Sequence, residues 1–115
     1  MANIKEALAG VADYDAAVER FMGSEAMYVR FLGKFVNDES YGKLVAAMDA
    51  GDAKAAFEAA HTLKGTSATL ELTDVARATS PVVESLRAGD VEAARTVFPP
   101  LKSAYDQAIE VLQTL

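Results

Sequence analysis

Apolar residues recur along this chain at the spacing of helix faces, and short polar turns break the pattern at intervals. Asp13-Tyr14-Asp15 is placed to cap a helix running through Met22 and ended by Gly23. Ser24-Glu25 opens the next, in which Met27, Tyr28, Phe31, Leu32, Phe35 and Val36 keep helical spacing. Asn37-Asp38-Glu39-Ser40 interrupts or kinks it, and Leu44, Val45 and Met48 carry the pattern on to Gly51. From Ala53 to Thr69 the only breaker is Gly65. Glu71-Leu72-Thr73 reads as a turn, with Thr73 capping a helix that runs to Ala88 and is kinked by Pro81. The last segment, Val91 to Leu115, breaks or bends at Pro99-Pro100.

Two of the turns share their chemistry. Ala50-Gly51-Asp52 and Ala88-Gly89-Asp90 are the same tripeptide, each followed after two further residues by Ala-Ala. Glycine can end one helix in the left-handed conformation and aspartate can cap the next, as in antiparallel helix hairpins. No alternating β-branched run and no hairpin dipeptide occurs, so the expected class is all-α.

Composition narrows the function classes. The chain of 115 residues is expected to form one domain, 1–115. Its apolar fraction of 51%, much of it alanine, suits closely packed helices. There is no cysteine, hence no disulfide or thiolate metal site, and one histidine cannot build a usual zinc site. No apolar run nears the roughly 18 residues of a membrane span. Met1-Ala2-Asn3-Ile4-Lys5-Glu6 lacks a signal-peptide pattern, so a cytoplasmic location is expected. A net charge of −6 argues against nucleic acid and anionic lipid as partners.

The candidate chemistry lies between Ala53 and Leu70. On a helical wheel Ala56, Ala60, Leu63, Ser67 and Leu70 fall within roughly 80° and form the core stripe. His61 lies off that stripe, with Phe57, Lys64, Gly65 and Ala68 around it and Lys54 two turns earlier. A mid-helix glycine costs about 1 kcal/mol relative to alanine. Gly65 is explained if something approaches the backbone beside His61; otherwise it is a tolerated defect or an early helix end. Lys64 is a helix-face neighbour of His61, able to pair with phosphoryl oxygens or simply solvated. Phe57 belongs to an apolar docking patch or folds back over a helix interface.

His61-Thr62-Leu63-Lys64-Gly65-Thr66-Ser67-Ala68-Thr69-Leu70 resembles the signature of histidine-containing phosphotransfer (HPt) domains, His-x-Leu-Lys-Gly-x-Ser-x-x-Leu. Ala59-Ala60, the preceding Ala-Gly-Asp turn, and the stretch from Glu19 to Gly23 and on to Phe31-Leu32-Gly33-Lys34-Phe35 are similar to the family as well. The resemblance implies an up-and-down antiparallel four-helix bundle with an additional short N-terminal helix. It implies that His61 is the phosphoacceptor, that Lys64 stabilises phosphoryl charge, and that Gly65, Phe57, Ala68 and Lys54 form a receiver-docking face. Two departures stand out. Glu71 replaces the glycine usual after Leu70; if the turn needs a positive φ, glutamate strains it modestly, and a changed helix end is expected. Pro81-Val82-Val83-Glu84 occupies the stretch where the family often places a polar helper.

The implied partners are a response-regulator receiver domain and a histidine kinase or hybrid sensor kinase. Imidazole, with an ordinary pKa of about 6.5, is a nucleophile near pH 7. No P-loop order is present around Lys64, so the chain is expected to be a relay without kinase activity, with no cofactor of its own and magnesium on the receiver. A monomer and a free-standing protein are expected. The competing class is a non-phosphorylated helical binding module using the same face.

Overall fold

Eight helices account for about three quarters of residues 3–115, the part described by the computed structural model. Met1, from which a free-standing chain is expected, lies outside the described residues. In chain order they are α1 (Ile4–Ala7), α2 (Tyr14–Arg20), α3 (Glu25–Val36), α4 (Ser40–Asp49), α5 (Ala53–Thr69), α6 (Thr73–Arg87), α7 (Val91–Val97) and α8 (Pro99–Leu112). No strand occurs among the described residues. α4 and α6 pack on α5, α7 and α8 on α6, and α3 on α8. The bundle has four rods, two of them broken: α3 with α4, then α5, then α6, then α7 with α8. The one-turn helix α1 precedes the expected short helix α2.

Local chemistry explains the hairpins. At Gly51 (φ +70°) and Gly89 (φ +77°) the chain turns left-handed. The Asp52 amide bonds the Ala47 carbonyl at 2.9 Å and the Asp90 amide that of Ser85 at 3.0 Å, closing both helix ends in the same way. Each aspartate then caps the next helix: Asp52 Oδ1 accepts from the Ala55 amide and Asp90 Oδ1 from that of Ala93.

The α5–α6 turn reaches the same geometry without glycine. Glu71 has φ +55°, the Glu71 amide bonds the Ala68 carbonyl, and the Leu72 amide bonds that of Ser67 at 2.9 Å. The helix end is therefore the one a glycine would make, not a changed one. A left-handed glutamate is strained, and its contacts offset the strain. Arg20 Nη2 donates to Glu71 Oε1 at 2.8 Å, the Asp13 amide bonds the Glu71 carbonyl at 2.9 Å, and Tyr28 Oη donates to the neighbouring Leu70 carbonyl at 2.7 Å. Burial, with Glu71 and Asp13 nearby, raises the Tyr28 phenol well above its usual pKa.

Other expectations are corrected. Thr73 is the first residue of α6, not its cap; Leu72 holds the cap position and supplies no side-chain bond. α2 stops at Arg20, and Met22 (φ +59°) rather than Gly23 takes the first left-handed position. The kink expected at Pro81 does not interrupt α6, which carries the proline within it. Pro81 and Arg77, whose carbonyl loses its helical donor, are both exposed, where a proline is least disruptive. The α3–α4 break is held by Asp38 Oδ1 accepting from the Ser40 amide at 2.8 Å. Pro99 and Pro100 open α8, where missing amide protons leave no helical bond unmade. Near the two breaks, the rings of Tyr41 and Tyr105 stack at 3.9 Å and Tyr41 lies against Phe98.

Small residues let α5 sit at the centre. Ala56, Ala60, Leu63 and Ser67 are fully enclosed, as are Thr79, Val82 and Val83 of α6. The buried hydroxyls bond within their own helices, Ser67 to the Leu63 carbonyl and Thr79 to that of Val75, so neither is left unpaired.

Candidate functional site around His61

His61 sits midway along α5 on the outward side, opposite the enclosed stripe, and is exposed. The side-chain hydrogen bonds of this helix run from Thr62, Ser67 and Thr69 to helix carbonyls, and His61 makes none. Neither ring nitrogen has a hydrogen-bond partner among the described residues. The imidazole is instead steadied by stacking on Phe57, ring centroids 5.7 Å apart and planes 15° from parallel. No carboxylate holds it, so the arrangement is not that of a catalytic triad. Among the described residues no three His, Cys, Asp or Glu gather as metal ligands. Nor, among the described residues, is any helix long and apolar enough to cross a membrane.

The two sides of His61 differ. At about 100° per residue, Phe57 and Lys64 lie on one flank and Thr62 and Gly65 on the other. The first flank faces α6. There Phe57 is half-buried, with the Arg87 guanidinium 5.0 Å from its ring centroid and Lys54 in the same shallow depression. Phe57 thus folds back over the α5–α6 interface. Lys64 is half-buried, and Lys54 and Ala68 are exposed on the His61 face one seven-residue step away on either side.

The second flank opens into a groove of about 680 Å³ between α5 and α3, lined by His61 and Gly65 on one side and Phe21, Phe31, Lys34 and Asp38 on the other. A Cβ built on Gly65 meets nothing within 4 Å, and its backbone is ordinary helix. Nothing inside the chain requires glycine here. Phe31 is 39% exposed although it keeps the apolar spacing of α3. The buried residues of that helix are Tyr28, Leu32 and Phe35, so Phe31 and Met27 form one edge of an apolar arc too wide to bury. That width was the sequence signal for a groove wall. Arg87 carried no such signal.

Charge is also unevenly arranged. Among the described residues, seven of the eleven basic side chains form ion pairs; Arg30, Lys34, Lys54 and Lys64 do not. Three of these four lie on α5 or across the groove from it. In a chain of net charge −6, cations without a carboxylate partner collect near the histidine. Glu84, in the stretch where a polar helper was sought, is exposed and pairs with Arg87 at 3.4 Å, while Val82 and Val83 are buried.

Comparison with protein-family models matches residues 37–114 to the Hpt domain. Comparisons with curated proteins and with solved structures found no match. The matched span begins at the break before α4 and includes His61, Lys64 and Gly65. The Glu19–Phe35 stretch, and with it the groove wall of Phe31 and Lys34, lies outside it. With α4 to α8 matched, well over half of its 115 residues, the chain belongs to the Hpt domain family, the histidine phosphotransfer modules of two-component systems.

Proposed function

We propose that His61 is the phosphoacceptor, taking a phosphoryl group from a receiver-domain aspartate and passing it to another receiver. The observation that carries this is an exposed mid-helix imidazole with both nitrogens unengaged, beside a glycine that the fold itself does not need. A ring nitrogen attacks phosphorus, its bond to the aspartyl oxygen breaks, and the carboxylate leaves; the reverse step discharges His61. Such transfer requires alignment and charge neutralisation more than covalent help. Lys64, one helical turn away and without a carboxylate partner, neutralises part of the charge. The receiver supplies the magnesium ion.

Gly65, Ala68 and Lys54 form the docking face, and Gly65 admits the receiver close to the α5 backbone. The chain works as a monomeric cytoplasmic carrier without a nucleotide site, loaded by way of a histidine kinase or hybrid sensor kinase. The test is incubation with a panel of phosphorylated receiver domains. Acid-labile, base-stable phosphate is expected on the wild type and not on His61→Gln. Phosphate that persists on the variant overturns the assignment, and failure with every receiver favours a non-phosphorylated docking module.

A further inference from the structure

A phosphoryl group on His61 meets different surroundings on its two flanks. Toward α6, Lys64 is at hand. Toward α3, the α5 residues are Thr62, Gly65, Thr66 and Thr69, none of them charged. The charged side chains lining the groove on that side are Lys34 and Asp38. Asp38 is engaged at the start of α4 by the Ser40 amide. Lys34 has no carboxylate partner, and its Nζ rests 4.9 Å from the centroid of the Phe31 ring.

The register brings Lys34 to the right level. Tyr28 of α3 meets the Leu70 carbonyl at the end of α5 through a 2.7 Å hydrogen bond. α3 runs antiparallel to α5, and both rise about 1.5 Å per residue. Equal steps from that contact set Lys34 opposite Lys64 and Gly65, one turn from His61. The missing Cβ of Gly65 leaves the path between them open. A cation–π contact at an exposed site is weak, about 0.5–1 kcal/mol, so the ammonium exchanges it readily for a dianionic group.

We propose that Lys34 is a second phosphoryl-binding cation of this site, leaving the Phe31 ring to close on the phosphoryl group from the α3 side, opposite Lys64. The inference rests on His61 as phosphoacceptor. It assigns a role to a residue outside the span that matches the family model.

Phosphoramidate tests it without any receiver. Its P–N bond breaks as the new bond to the His61 ring nitrogen forms, and ammonia leaves with the imidazole proton. Nothing docks, so a role for Lys34 confined to receiver contact leaves the rate untouched. Lys34→Gln is expected to label about fivefold more slowly than the wild type, with Lys34→Arg restoring most of the rate. Its thermal midpoint should fall by only a few degrees, because Lys34 is exposed and the variant loses no ion pair, only the weak contact with the Phe31 ring. Equal labelling rates for wild type and Lys34→Gln overturn the proposal and leave His61 in place. No label on the wild type, or label that survives His61→Gln, overturns the His61 assignment and this inference with it.

Discussion

The two faces of α5 place opposite demands on their residues. On the inner face Ala56, Ala60, Leu63 and Ser67 are enclosed by neighbouring helices, and each is small or shaped to let those helices close in. On the outer face Lys54, His61 and Ala68 stand at seven-residue spacing, exposed, and Gly65 lacks a side chain where nothing in the chain would obstruct one. Packing explains the first set. The proposed docking of a receiver accounts for the second. On the proposed function, stability and phosphoryl transfer are carried by different faces of one helix and can be altered separately.

The strongest challenge to that separation is Leu63→Ala on the inner face. It is expected to cost about 3 kcal/mol in a denaturant titration. The transfer rate per folded molecule should stay at the wild-type value, and a parallel fall in that rate would show the faces to be coupled. Lys64→Gln on the outer face should do the reverse. A lost charge-assisted contact slows single-turnover transfer about tenfold, and the melting temperature should hold because Lys64 pairs with no carboxylate.

Gly65→Ala sharpens the comparison further, since both effects meet in one residue. Replacing an exposed helical glycine is expected to stabilise the fold by about 1 kcal/mol, while transfer from a receiver slows because the added methyl obstructs close approach. A destabilised Gly65→Ala would mean the glycine serves the fold after all. Glu71→Gly should have the smallest effect. Relief of left-handed strain is offset by loss of the Arg20 ion pair and a freer unfolded chain, leaving a net change within about 0.5 kcal/mol. The clearer readout is salt: the wild type should lose more stability than this variant as sodium chloride is added.

The inner stripe of α5, the exposure of His61, and the turns at Gly51 and Gly89 were legible before any coordinates. Each depends on residues within one helix or one hairpin, where a rotation of about 100° per residue and short-range hydrogen bonds set the outcome. Met22 and Glu71 show where that reading weakens. Both adopt left-handed backbone without being glycine, and Glu71 does so with help from Arg20, 51 residues away. Phe31 is another case, since spacing alone cannot say which edge of a wide apolar arc goes uncovered.

By itself, then, the sequence determined an all-helical chain, its hairpin turns, the sidedness of α5 and a family resemblance centred on His61, Lys64 and Gly65. Tertiary structure alone decided that α3 supplies Phe31 and Lys34 to the groove, that Arg87 lies over Phe57, and that Arg20 steadies Glu71. Those contacts join separate helices. Their register depends on where the α3–α4 and α7–α8 rods break and how they pack, which no local pattern of side chains encodes.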